Sequence, residues 1–142
     1  MQGIYSGADK YILMPRPTSA LIIDDEAHVR TYFRLMLGEL NVATQWEASD
    51  GSRGLELALA HRPELVLLDV NLTGMDGLEV LGRLTAEAPE IPVIMVTART
   101  AIETIREAHE RGAAGYVIKH LPRLEVLASL REAIDDLEDP AA

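Results

Sequence analysis

The chain has 142 residues, 48% of them apolar but only 4% aromatic, which suits one globular domain and is too short for two ordinary ones. Thirteen basic against twenty-three acidic residues leave a net charge of −10, so this chain is not expected to bind nucleic acid or an anionic membrane directly. Cysteine is absent, which excludes disulfides and thiolate zinc sites. No stretch approaches the roughly 18 apolar residues of a membrane helix, and a cytoplasmic location is expected.

Residues 1–17 show no sustained period and end in Pro-Arg-Pro, which favours extended backbone, so they read as an N-terminal tail or leader. From there short apolar runs alternate with longer stretches of helical spacing. "SALIID" (19–24) is a first strand, and Val29, Phe33, Met36, Leu37 and Leu40 line one face of a helix. "NVATQWEA" (41–48) is a second strand, polar enough for a sheet edge. Asp50 and Ser52 offer N-caps to a helix facing inward through Leu55, Ala58 and Leu59. "ELVLLD" (64–69) is so uniformly apolar that both faces must be buried, as in a central parallel strand. A helix on Leu78, Leu81 and Leu84 follows, for which Asp76 is the cap. "IPVIMVT" (91–97) is another buried strand, and Ile102, Ile105 and Ala108 mark the inner face of a helix closed by Gly112. "GYVIK" (115–119) is the fifth strand, and Pro122 opens a last helix on Leu127, Leu130, Ile134 and Leu137. The fold class is therefore α/β: a doubly wound, five-stranded parallel sheet with five helices.

In such sheets the functional site lies beyond the carboxyl ends of the strands. Those ends carry Asp24 and Asp25, Asp69, Thr97 and Lys119. Three carboxylates brought together repel, each close pair by about 4 kcal/mol at an effective dielectric near 20. A hard divalent cation compensates, and Mg²⁺ suits one or two carboxylates, a backbone carbonyl and waters. The turn after Asp69 can supply the carbonyl of Asn71. Beside the metal, Asp69 is a plausible nucleophile toward phosphorus. Lys119 offers a point charge and Thr97 a hydroxyl donor to the phosphoryl oxygens. These ingredients match phosphoryl transfer.

The acidic pair, "LLDVNLTGMDGLEV" around Asp69, "VTA" at 96–98 and "GAAGYVIK" ending in Lys119, in that order on a βα repeat, resemble the receiver domains of bacterial two-component response regulators. The resemblance covers about residues 18–138, and the domain is placed at 18–139 with a C-terminal tail at 140–142. It implies flavodoxin-like receiver topology and a cytoplasmic signalling role. Asp69 would accept a phosphoryl group from the phosphohistidine of a partner histidine kinase or phosphotransfer protein. Asp25, Asp69 and the Asn71 carbonyl would bind Mg²⁺, with Asp24 acting mainly through water. Thr97 and Lys119 would hold the phosphoryl group. Tyr116 would be the aromatic switch that turns inward as Thr97 moves, changing the face of helix 4, strand 5 and helix 5, through which a homodimer is possible.

Two positions depart from the family pattern. Thr73 stands where Pro is common, which loosens the turn, and His120 follows Lys119 where a cis proline is frequent. A cis bond before His120 costs roughly 2.5–4 kcal/mol, so a trans peptide is expected. A non-proline after the lysine is similar to receivers that precede a helix-turn-helix output domain, so the chain is either a stand-alone receiver or a piece cut after its last helix, with Asp135, Asp136, Glu138, Asp139 and Pro140 as a solvated exit. Arg99 and Asn71 sit where they can shield or admit water. Phosphatases of the haloacid dehalogenase type are a rival reading, but they need an Asp where Asn71 stands. A flavodoxin-like cofactor binder would need Gly, Ser or Thr in place of "DDEAH". A phosphorylation-independent adaptor remains as the alternative. The chain is not expected to be an enzyme beyond transfer to, and loss from, Asp69. The histidines at 28, 61, 109 and 120 follow no metal-ligand spacing and read as surface residues, and Trp46 reads as packing.

Overall fold

The computed structural model describes residues 16–137. The readings for 1–15 and 138–142, including the two tails, the domain limit at 139 and the exit through Asp139 and Pro140, lie outside the described residues. Strand and helix alternate throughout: β1 (Ser19–Ile23), α1 (Ala27–Glu39), β2 (Thr44–Ala48), α2 (Gly51–His61), β3 (Val66–Leu68), α3 (Gly77–Glu87), β4 (Val93–Thr97), α4 (Ile102–Glu110), β5 (Gly115–Ile118) and α5 (Arg123–Leu137). All strand pairs are parallel, in the order β2-β1-β3-β4-β5, which is the flavodoxin-like order.

The sheet separates two apolar layers by the two-residue alternation of strand side chains. Leu21, Ile23, Leu68 and Met95 pack toward α2, α3 and α4. Ile22, Leu67, Ile94 and Val96 pack toward α1 and α5. Burying each such side chain contributes about 1.5–3 kcal/mol, which is why β3 and β4 carry no polar residue before their ends. β2 is an edge, with its first residues exposed or half-buried, as its polar sequence predicts.

β1 and β5 begin where the sequence places them, but β2, β3 and β4 begin later than their expected runs. Asn41 has a φ of 68° and the Val42 N–H donates back to the Leu37 carbonyl at 2.9 Å, so residues 41–43 finish α1 and β2 starts at Thr44. Pro92 lacks an N–H, so its carbonyl accepts from Val66 but the β4 ladder starts one residue later. Of the two candidate caps for α2, Asp50 is the one used: its carboxylate accepts the Arg53 N–H at 2.8 Å. Asp76 caps α3 through the Leu78 N–H at 2.8 Å. The inner face of α4 needs correction. Ala108 is buried, but Ile102 is 66% exposed and Ile105 37% exposed, and Thr104 takes the second inward position. Spacings of three and four both close a helical turn, so the apolar residues alone did not distinguish the 104/108 face from the 102/105 face. In α5 the buried line is Val126, Leu130 and Ile134, with Leu127 and Leu137 half-buried at its border.

Candidate functional site

Strand register assembles the site. Ile23 is level with Leu68, and Leu68 with Met95, so Asp24 and Asp69 are the next residues on adjacent strands and emerge side by side. The Asp69 N–H donates to the Ile23 carbonyl at 3.1 Å, which locks that offset. On the other side Thr97 pairs with Ile118, and the Lys119 N–H donates to the Thr97 carbonyl at 2.9 Å. Asp24, Asp69, Thr97 and Lys119 are all buried although they end their strands.

The Lys119 ammonium is shared. It lies 2.9 Å from Asp24 Oδ2 and 2.9 Å from Asp69 Oδ2, with Glu26 Oε1 at 3.6 Å. Burial alone would lower the lysine pKa, but hydrogen bonds and charge from Asp69 and Asp24 outweigh it and the net shift is upward. Asp24 also shifts upward: burial dominates over the Glu26 N–H, donated at 2.9 Å to Oδ1, and over the Lys119 contact. The ammonium is stabilised by two carboxylates, whereas at Asp24 the cost of burial exceeds what its hydrogen bonds return.

Carboxylate oxygens of Asp24, Asp25 and Asp69 lie within 4.8 Å of one another. Three carboxylates against one ammonium leave two negative charges uncompensated, and the donors are all hard oxygens, so this group fits a divalent cation of the Mg²⁺ type. Asp25 is the exposed member, and its Oδ2 accepts the Thr73 hydroxyl at 2.9 Å. The Asn71 N–H donates to Asp69 Oδ1 at 3.2 Å, so the Asn71 peptide lies against the Asp69 carboxylate.

The loop from Asp69 to Gly77 closes on itself, because the Gly77 N–H donates to the Val70 carbonyl at 2.8 Å. A Cβ at Gly77 would lie 2.0 Å from the Asp69 carbonyl oxygen, so only glycine lets α3 begin there. Three residues earlier in the same loop, Gly74 has a φ of 89°.

Thr97 and Met95 share a sheet face by alternation, and Met95 is level with Tyr116. Tyr116 is half-buried, and its hydroxyl donates to the Arg99 carbonyl at 3.1 Å. Burial raises its pKa against the lowering effect of Arg99. The Arg99 side chain reaches back over the mouth of the site and donates to Asn71 Oδ1 at 3.0 Å. The Lys119–His120 peptide is trans, since no cis peptide occurs among the described residues.

Residues 20–131 match the family described as "Response regulator receiver domain". The chain belongs to that family. This receiver is 33% identical over 118 residues to the nitrate/nitrite response regulator protein NarL of Escherichia coli, a match covering 82% of this chain and 55% of that one. It is 34% identical over 99 residues to the sporulation initiation phosphotransferase F of Bacillus subtilis, covering 70% of this chain and 79% of the relative. Several curated relatives are thus about twice as long as their match to this receiver. Among solved structures, a CheY-like response regulator receiver domain protein from Methanospirillum hungatei superposes with a TM-score of 0.74 at 25% identity, over 86% of this chain and 97% of that one. Family members interact with histidine kinases or phosphotransfer proteins in phosphorelay signalling. No helix of the described residues is long and apolar enough to cross a membrane.

The fold brings together every strand-end residue singled out in the sequence. Several of the receiver's contacts were not foreseen. Arg30 donates to the Asp24 carbonyl at 2.7 Å and to Glu47 at 3.1 Å, bracing the acidic loop from α1. Glu26 adds a third carboxylate near Lys119. Thr73 had stood out only for the proline it replaces, and nothing local to "LTG" announces a partner 48 residues earlier. Trp46 stacks on His61 with ring centroids 4.8 Å apart and an interplanar angle of 16°. His28, His61, His109 and His120 are all exposed.

Proposed function

We propose that this receiver, spanning about residues 18–139, accepts a phosphoryl group on Asp69 from the phosphohistidine of a partner kinase or phosphotransfer protein. The observation that carries the reading is the buried Asp69 carboxylate beside an under-compensated acidic cluster and a shared lysine. An oxygen of Asp69 attacks phosphorus, the phosphorus–nitrogen bond of the donor breaks, and the departing imidazole takes up a proton. A bound Mg²⁺ supplies charge neutralisation for the transferring group. Asp25, Asp69 and the Asn71 carbonyl are the direct ligands in this reading. Asp24, whose oxygens accept from the Glu26 N–H and from Lys119, acts mainly through water in this reading. Lys119 and the Thr97 hydroxyl bind the phosphoryl oxygens once it arrives.

The signal then passes through Thr97 and Tyr116 to the α4-β5-α5 face. Exposed Ile102 and Ile105 on α4 give that face an apolar surface for an output partner or a second copy of the chain. Beyond transfer to and loss from Asp69, the receiver is not a turnover enzyme, because Asn71 occupies the position where an acid would be needed to hydrolyse small phosphate esters. It works in the cytoplasm and binds no nucleic acid through this chain.

Amide NMR with beryllofluoride, a phosphoryl mimic, tests the reading. With Mg²⁺ present, shifts are expected at Asp24, Asp69, Thr97 and Lys119 and onward to Tyr116 and α4, and none with Asp69→Asn. Shifts that are independent of Asp69, or no shifts at all, would leave the fold acting as an adaptor.

A further inference from the structure

The three carboxylates are not held alike. Asp24 and Asp69 are buried and fastened to Lys119, whereas Asp25 is exposed and has no ammonium partner among the described residues. An exposed aspartate is free to turn about both side-chain torsions, and a ligand that must first be ordered binds a metal more weakly. The contact that orders Asp25 is the Thr73 hydroxyl, 2.9 Å from Oδ2. An ionised carboxylate only accepts, so the hydroxyl is the donor and one carboxylate oxygen stays available for a cation. Threonine suits the task because its branched Cβ restricts the first torsion and so fixes where the hydroxyl points.

Thr73 also belongs to the loop between β3 and α3, which carries Asp69 and Asn71, while Asp25 belongs to the loop between β1 and α1. The bond therefore spans the two loops that carry the candidate ligands. Proline, common at this position in the family, would stiffen the turn but could not make the link. What the sequence presents as a loosened turn is, in the fold, a tie between loops.

We infer that Thr73 is a positioning residue for divalent-cation binding: its hydroxyl presets Asp25 and the spacing of the two ligand-bearing loops. The inference rests on the reading of Asp24, Asp25 and Asp69 as a cation site, and the test separates the two.

The test is Mg²⁺ titration of the full chain without any phosphoryl donor, followed by amide NMR, for the wild type, Thr73→Val and Thr73→Ser. Valine keeps the branched shape and loses the hydroxyl, serine does the reverse, and Thr73 is exposed, so both variants should fold. Thr73→Val is expected to weaken Mg²⁺ binding by about three- to tenfold, below the range of buried outer-shell partners because Asp25 faces solvent, with Thr73→Ser within about twofold of wild type. At saturating Mg²⁺, phosphorylation by acetyl phosphate should be restored in Thr73→Val, since only cation affinity has changed. Equal affinity in wild type and Thr73→Val, or equal weakening by serine and valine, would overturn the positioning role while leaving the cation site intact. Absence of Mg²⁺ binding in the wild type would overturn the cation site itself, and the role of Thr73 with it.

Discussion

Lys119 has two partners already and, in the proposed function, a third to come. Among the described residues it is the ammonium that compensates Asp24 and Asp69, and the proposed phosphoryl transfer would ask it to serve the incoming oxygens as well. Removing it leaves buried carboxylates with no counter-charge, which costs about 3 kcal/mol. Lys119→Met should lower the urea midpoint accordingly, and Mg²⁺ should recover more stability in the variant than in the wild type. The pH dependence has a fixed sign. A group whose pKa is higher in the folded than in the unfolded chain stabilises the fold below the unfolded value and ceases to do so as pH rises through the folded one. Lys119 shifts upward. The stability gap between wild type and Lys119→Met should therefore be constant from neutral pH up to the ordinary lysine value of 10.5 and close above it. A gap that stayed open at pH values well above 10.5 would contradict the assignment.

At the scale of elements, the start of α3 sets the position of Asp69. Because a Cβ at Gly77 would meet the Asp69 carbonyl oxygen at 2.0 Å, Gly77→Ala forces the helix and the loop after Asp69 apart. A loss of about 1–3 kcal/mol in denaturant stability is expected, together with amide shifts at Asp69 and Asn71. Gly74→Ala meets open space and carries only the penalty of its positive φ, about 1–2 kcal/mol, with Asp69 undisturbed. The exposed face of α4 gives a second contrast. Ile102→Ser should change stability by less than about 0.5 kcal/mol, whereas Leu81→Ala, fully buried on α3, should cost about 2–5 kcal/mol. A large loss at Ile102 would mean that this isoleucine packs inward, as the apolar spacing alone had suggested.

Across the whole molecule, two kinds of information differ in how plainly the sequence carries them. The sheet was legible because burial on both faces leaves a one-dimensional trace: "ELVLLD" and "IPVIMVT" can be little else than central strands, and the apolar run in each ends in a polar group at the carboxyl edge. Asp24, Asp69, Thr97 and Lys119 were legible for the same reason. The side of α4 that faces the sheet was not, because the choice depends on how the helix rotates against its neighbours. Nor were the long-range ties visible: Thr73 to Asp25, Arg99 to Asn71 and Trp46 to His61 join residues whose local sequences contain no sign of one another.

Everything proposed for this receiver turns on Asp69 taking up a phosphoryl group with the help of a divalent cation. Intact-mass spectrometry after incubation with acetyl phosphate, with and without Mg²⁺ and beside Asp69→Ala, reads that step itself. A single phosphoryl adduct is expected that requires Mg²⁺ and is absent from the variant. No adduct under any condition, or an equal adduct on Asp69→Ala, would contradict it.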